Sequence, residues 1–206
     1  MNQRSRHETP LKLAPGFAVI AHVTTALTHG GPVAVPDVPA YLSVAQRFWG
    51  AVPVVELPYH PGYGFLVAPL GFLSGDALHT AALCVNAILA GIVVWMVQRL
   101  VRRSRAPQWV LWCSTAISVL HPSISHTSRV AWPETLLVVL LLSIGLCVTS
   151  LHPQKWYTVG LLAGLAPLVH PRAVVLAASM LFLGWSIGRV RETAIGVGCG
   201  LLATVA

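Results

Sequence analysis

Long apolar segments alternate along this chain with short polar junctions, and basic residues gather at every second junction. Hydrophobic residues make up 55% of the sequence and charged residues 9%, whereas soluble domains carry about 25% charged residues. A chain this poor in charge cannot cover a globular surface with water-compatible side chains. We therefore expect an all-α, polytopic transmembrane helix bundle that forms one domain over residues 1–206, with about six to seven spans in a lipid bilayer.

The distribution of basic residues predicts the orientation of this bundle. Cytoplasmic loops carry an excess of Lys and Arg, so we expect a multi-pass protein of the cell membrane with a cytoplasmic N-terminus and an outer loop over residues 29–76. The net charge of +7 then reflects topology, and no nucleic-acid partner is indicated. Of the 13 Lys and Arg residues, those on the predicted cytoplasmic side are Arg4, Arg6, Lys12, Arg99, Arg102, Arg103, Arg105, Lys155, Arg189 and Arg191.

The apolar segments differ in length, and one is too short to cross a bilayer. Residues 65–73 are broken by Pro69 and Gly71 and fall short of the roughly 20 residues that a span needs. We expect a short interfacial or re-entrant helix there. The last segment stops at the end of the sequence, which suggests a chain truncated at its C-terminus or a fragment. The predicted apolar segments are residues 13–28, 77–100, 109–120, 135–149 and 193–206, with two short apolar arms at 157–169 and 173–187.

The outer loop contains the first candidate for chemistry, Asp37. Residues 38–49 have helical spacing that places Tyr41, Ala45 and Phe48 or Trp49 on one face, and Asp37 lies where a helix cap would be. At a membrane surface a carboxylate loses part of its hydration, which makes it a stronger general base. Asp37 is thus a helix cap, a catalytic base, or both, and Tyr41 shares its face of the helix.

An aromatic and imidazole cluster follows in the same loop at Tyr59, His60 and Tyr63. Rings flanked by glycines are suited to stacking on a sugar ring. The alternative is an interfacial aromatic belt, which is an equally common use of tyrosine near membranes.

Glu134, Arg129 and Arg172 are the other candidates on the predicted outer side. Glu134 begins a span, where the helix dipole favours an acid, yet two carboxylates facing one site could also hold a divalent metal ion or share base and positioning roles. Arg172 lies at the tip of two short apolar arms. A guanidinium there binds a phosphate or snorkels to lipid headgroups, and Arg129 has the same two interpretations.

Several catalytic classes have no motif in the chain. It contains no P-loop, no GxGxxG before a helix, no GxSxG and no HExxH, so nucleotide hydrolysis, dinucleotide redox chemistry and serine or zinc hydrolysis are not indicated. The four cysteines fall inside apolar segments without ligand spacing, and we expect them to be buried apolar residues.

The order of several weak motifs resembles a known family. It runs from Asp37-x3-Tyr41-x3-Ala45 through Pro61-Gly62-Tyr63-x5-Pro69 to an asparagine within a span, a polar segment ending in an acid, and the sequence GLLAGLAPLVHPR. This order is similar to the N-terminal half of GT-C membrane glycosyltransferases, among them the aminoarabinose transferases and protein mannosyltransferases. The resemblance covers about residues 13–189.

The resemblance implies an extracytoplasmic active site with short interfacial helices in the first loop. It implies inverting transfer of a hexosyl or pentosyl group from a polyprenyl-phosphate donor to an extracytoplasmic acceptor. Asp37 would be the base, Glu134 a second acid and Arg172 a phosphate ligand, with Tyr41, Tyr59, His60, Tyr63 and Arg129 in the substrate site. The alternatives are a non-catalytic or degenerate membrane subunit with a membrane-protein partner and, ranked last, a small-molecule transporter.

Overall fold

The computed structural model describes residues 3–28, 37–51, 60–120, 126, 129–150 and 152–205. Within these ranges the chain forms nine α-helices, two 3-10 turns (Ala68–Leu70 and Pro171–Ala173) and no β-strand. The expected all-α class is therefore confirmed. The helices are α1 (Gln3–Thr28), α2 (Val38–Arg47), α3 (Gly62–Val67), α4 (Gly75–Arg103), α5 (Gln108–Leu120), α6 (Glu134–Val148), α7 (Lys155–Val169), α8 (Val174–Ser186) and α9 (Val190–Val205).

Two of these helices are long and apolar enough to cross a membrane, namely Thr9–Thr28 within α1 and the whole of α4. Four other helices, α5 to α8, are apolar but shorter, at 10–17 residues. In this count α8 includes the 3-10 turn that precedes it. Helix α1 begins earlier than the predicted span and runs through Pro10 and Pro15. The apolar pattern located the helices, but helical structure continues into the polar flank.

Helices α1 and α4 pack side by side in opposite directions. Near one end, the buried Gln98 amide donates a hydrogen bond to the carbonyl of Leu11 at 2.8 Å. In the middle, Gly91 of α4 faces Val19 and the carbonyl of Pro15. A side chain at position 91 would collide with this backbone, so the glycine permits the close approach.

Helix α6 runs parallel to α4 and is tied to it at both ends. At the C-terminal end the Arg103 guanidinium donates to the carbonyl of Leu146 and to the hydroxyl of Thr149. A cation suits this position because the carbonyl groups at a helix C-terminus carry partial negative charge. At the N-terminal end, the Asn86 amide of α4 bonds the carbonyls of Val130 and Trp132, just before α6 begins.

Helices α7 and α9 form the closest parallel pair, through two matching GxxxG motifs. A β-carbon on any of the four glycines would lie within 3 Å of the other helix's backbone. Such small-residue faces allow apolar helices to associate by van der Waals packing, even where lipid removes the hydrophobic driving force between them. The four positions are Gly160 and Gly164 of α7 and Gly196 and Gly200 of α9.

Helices α2 and α3 are short and cover the end of the bundle near the start of α4. The expected helix at residues 65–73 exists as α3 and the following 3-10 turn, beginning at Gly62. Tyr41 and Ala45, which were expected to share a helix face, are both buried, but Phe48 and Trp49 are exposed because α2 ends at Arg47. The Trp49 ring instead contacts Phe72, and its indole donates to the carbonyl of Ala68 at 2.8 Å.

Large apolar side chains cover much of the outer surface. Phe17, Ile117, Phe182 and Trp185 each expose more than 60% of their area. The predicted burial of the cysteines is wrong for Cys113 and Cys199, which are exposed, whereas the other two are partly buried; all four are free thiols. The helices that carry Cys113 and Cys199 turn these two side chains away from the protein interior. An apolar exterior of this extent is unusual for a soluble monomer.

The helix directions separate charge between the two ends of the bundle. Because α1 opposes α4 while α6 parallels it, the N-terminus of α1 and the C-termini of α4 and α6 lie at one end. That basic end carries one acid whose side chain is described, Glu192, which pairs with Arg189 at 3.6 Å. Its cations are Lys12, Arg99, Arg102, Arg103, Arg105, Lys155, Arg189 and Arg191. The opposite end, which we name the acidic end because it holds Asp37, Asp76 and Glu134, also carries Arg47, Arg129 and Arg172.

Candidate functional site

Asp37 lies at the start of α2 and makes no capping hydrogen bond to that helix. Its backbone is already helical, with φ −81° and ψ −23°, whereas a side-chain cap normally needs an extended residue. Its carbonyl accepts the hydrogen bond from the amide of Tyr41. The cap interpretation of the Asp37 carboxylate is therefore not realised, although Pro39 occupies the first turn as predicted.

A buried amide organises the centre of the acidic end. The Tyr63 hydroxyl donates a hydrogen bond to Asn86 Oδ1 at 3.0 Å, and the Ala82 carbonyl oxygen is a second acceptor at 3.3 Å. Asn86 Nδ2 then donates to the carbonyls of Val130 and Trp132, each at 3.3 Å. Since both halves of this amide are satisfied, Asn86 fixes α3 and the segment before Glu134 to the same turn of α4.

Tyr41 and Tyr63 are core residues in this structure. Tyr63 has no exposed surface and Tyr41 retains 6% of its area, and the two rings meet edge to face with centroids 6.0 Å apart. Gly64 lets α3 approach the backbone of α2 closely enough to enclose them. The burial of Tyr63 is at odds with its expected stacking on a sugar ring, and the burial of Tyr41 leaves little of it to contact a substrate. The two rings instead hold α2 and α3 together.

Burial also raises the pKa of the Tyr63 phenol, and the nearby Glu134 carboxylate raises it further, whereas the hydrogen bond between Tyr63 and Asn86 has the opposite effect. Tyr63 is therefore a neutral hydrogen-bond donor at any physiological pH. This state matches its role as a fixed donor to the Asn86 carbonyl.

Glu134 begins α6 directly after the segment that Asn86 holds. Its Oε2 atom is buried and has no hydrogen-bond partner among the described residues. A buried carboxylate oxygen without a protein partner is costly, so this atom is a candidate contact for a bound ligand or a water molecule. The start of α2 and the segment before Glu134 pack on one core cluster, because Val38 and Val130 both belong to it.

Arg172 lines a cavity between α6 and α8. The cavity has a volume of about 260 Å³, and its lining is almost entirely apolar. Leu137 and Leu141 contribute the α6 wall, and they share a helix face with Glu134 because they follow it by three and seven residues. The remaining lining residues are Ala173, Val175, Leu176 and Ser179.

His60 is close to the same turn from the other side. Gly62 packs against the backbone of Leu168, at the end of α7. Burial of His60, together with the neighbouring His170, lowers its pKa, although a hydrogen bond to the Pro167 backbone opposes this shift. His170 in turn accepts a hydrogen bond from the amide of Arg172 at 3.3 Å through Nδ1.

Two predicted site residues remain, Arg129 and Tyr59, and no contact among the described residues assigns either of them a role. Arg129 is exposed, and Tyr59 falls outside the described residues. Within the described part of the chain, no three His, Cys, Asp or Glu side chains group closely enough to hold a metal ion.

Sequence reasoning gave Asn86 no structural role. The only available signal was an amide inside an otherwise apolar span, which usually faces the bundle interior.

No family model, curated protein or solved structure matches this chain. The case for a function therefore rests on the residues at the acidic end and on the surface of the bundle.

Proposed function

We propose that this chain is a multi-pass membrane glycosyltransferase of the GT-C type, with its acidic end on the extracytoplasmic side. The donor is a polyprenyl-phosphate-linked sugar, and the acceptor is extracytoplasmic. The observation that carries the proposal is the cavity at Arg172, where one cation lines an almost entirely apolar cleft beside the helix that begins at Glu134.

The membrane setting is supported by three features. Helix α4 and the Thr9–Thr28 portion of α1 have the length and hydropathy of spans. Large apolar side chains face outward from several helices, and the GxxxG pair packs in the manner of membrane helices. The basic end carries most of the cations, which favours its placement in the cytoplasm.

The Arg172 cavity has the chemistry that a polyprenyl phosphate requires. An isoprenoid chain is purely apolar, and the walls formed by Leu141, Val175 and Leu176 match it. The phosphate needs a cation at the polar end of that chain, and guanidinium is the preferred partner because it donates two parallel hydrogen bonds. Arg172 is exposed, so it can reach a headgroup at the bilayer surface.

The two carboxylates supply the remaining chemistry. Asp37 takes the proton from the acceptor hydroxyl as that oxygen attacks the anomeric carbon of the donor. The bond from the anomeric carbon to the phosphate oxygen breaks, and the electron pair leaves with the phosphate, which Arg172 stabilises. Glu134 orients a sugar hydroxyl through its free oxygen. The buried Tyr63 and Asn86 position this segment without contacting substrate.

The test is transfer from fluorescent polyprenyl-phosphate sugars in proteoliposomes, with a panel of hexosyl and pentosyl donors. Asp37→Asn should lower the rate by about 10²–10⁴-fold, the usual contribution of a general base, and Arg172→Gln should mainly raise the KM for the donor. Asp76→Asn and Arg47→Gln are matched controls, since both residues are exposed charges at the same end. Full activity in Asp37→Asn would contradict the site.

A non-catalytic membrane subunit is the second candidate, and the burial of Tyr41 and Tyr63 favours it, because these rings offer no surface to a sugar. In that case no donor in the panel would be consumed. A second membrane protein would co-purify with the chain, and Asp37→Asn would leave that association intact.

A further inference from the structure

The largest concentration of positive charge lies at the opposite end of the molecule from the candidate site, in a cavity between α1 and α4. Its volume is about 440 Å³, within the range of roughly 300–1,000 Å³ that ligand pockets occupy. Four of its lining side chains are cations, and no acid lines it among the described side chains. The lining residues are Lys12, Pro15, Trp95, Gln98, Arg99, Arg102 and Arg103.

The cavity is built by side chains whose positions are held. Gln98 is buried, and its 2.8 Å hydrogen bond to Leu11 fixes the spacing of α1 and α4. The Arg99 guanidinium lies over the Trp95 ring, 5.0 Å from its centroid, and a cation–π contact of this kind orients it without neutralising its charge. Arg103 is held by α6 through Leu146.

Arg102 completes the rim. Its side chain is exposed and makes no hydrogen bond or ion pair with another described residue. Guanidinium groups gathered around one hollow repel one another, and an anion bound among them removes this repulsion. Phosphate is the anion that fits such an array best, because each guanidinium offers a fork of donors.

We propose that this cavity binds the phosphate of an anionic phospholipid headgroup in the leaflet at the basic end of the bundle. The lining also includes the apolar Pro15 and Trp95, and the exposed Ile88 lies on the same face of α4 as Trp95, seven residues earlier, so an acyl chain can lie along this side of α4. Basic pockets between membrane helices on the cytoplasmic side are typical sites for such headgroups. The site is independent of any catalytic activity at the other end.

The experiment measures thermal unfolding and lipid retention by native mass spectrometry for the full chain in nanodiscs. The discs contain phosphatidylcholine alone or phosphatidylcholine with phosphatidylglycerol, and a third arm adds inorganic phosphate to the phosphatidylcholine discs. Phosphatidylglycerol should stabilise the wild type and remain bound. In the double variant Arg99→Gln/Arg102→Gln the apparent affinity should fall by about tenfold or more, as expected for lost charge-assisted hydrogen bonds.

Two control variants make the result specific. Lys155→Gln/Arg191→Gln removes the same charge from exposed positions at the same end but outside the cavity, and it should bind phosphatidylglycerol like the wild type. Arg99→Lys/Arg102→Lys keeps the charge and should retain most of the binding. An equal loss in the Lys155 and Arg191 variant would overturn the proposal, because binding would then reflect net charge alone. Stabilisation by inorganic phosphate equal to that by lipid would overturn the lipid assignment in favour of a soluble phosphate.

Discussion

The α7–α9 contact makes a quantitative prediction about two glycines that differ in their surroundings. A β-carbon at Gly164 would lie 2.5 Å from the Val197 carbonyl oxygen and 3.0 Å from the Gly200 α-carbon. The same atom at Gly198, also in the interior of α9, would meet nothing within 4 Å. Replacing glycine by alanine stabilises a helix by about 1 kcal/mol at either site. The difference in the free energy of unfolding between the two variants therefore reports the effect of packing alone.

Relieving the contact at Gly164 requires the helices to separate by roughly 1 Å, and a gap of that size forfeits up to about half of each dispersion contact along the seam. Overpacking of this kind costs about 1–3 kcal/mol. We therefore expect Gly164→Ala to be less stable than Gly198→Ala by that amount, and Gly164→Leu to lose more.

The assay is reversible unfolding in mixed micelles by titration with sodium dodecyl sulfate, followed by tryptophan fluorescence. Trp156 reports on the seam because it is buried in the cluster that contains Val197. If Gly164→Ala proves as stable as Gly198→Ala, α7 and α9 do not pack through their glycines, and the reasoning fails.

Three further predictions concern the rest of the bundle. Asn86→Leu leaves the buried partners of the amide unsatisfied and should cost at least about 2 kcal/mol in the same titration; unchanged stability would contradict the network. Burial lowers the pKa of His60 in the folded state, so the unfolded chain binds more protons and stability should decrease as the pH falls below about 6.5. His60→Gln should weaken that dependence, and parallel pH profiles would refute it. Arg103→Met should cost about 1 kcal/mol through its bond to α6, whereas Arg105→Met, an exposed control, should cost little; equal losses would count against the α4–α6 link.

The positions of the helices could be predicted closely from the sequence, because glycine residues and clusters of charged residues mark where the apolar segments end. The predicted segment at 77–100 is α4, Gly75–Arg103, bounded by a glycine and a run of arginines. The short helix after Pro61 was also expected, although it begins three residues earlier than predicted. The N-terminal extension of α1 to Gln3 was missed, because its first turns are polar and carry no apolar periodicity.

Parts of the candidate site were less accessible to sequence reasoning. Glu134 and Tyr63 were selected as site residues, but the burial of Tyr63 depends on Gly64 and on how closely α2 approaches α3. Local spacing places Tyr63 on a helix without showing what covers it. The GxxxG motifs at Gly160 and Gly196 were visible in the sequence and would have predicted the α7–α9 pair.

The most direct test of the central proposal is the accessibility of the two ends of the bundle in intact cells. Single cysteines at Arg129 and Arg172 of the acidic end, and at Arg102 and Arg191 of the basic end, are introduced into a cysteine-free chain and treated with an impermeant thiol reagent. We predict that positions 129 and 172 react in intact cells, while 102 and 191 react only after permeabilisation. Labelling of 102 and 191 with protection of 129 and 172 would place the candidate site in the cytoplasm and contradict the proposal.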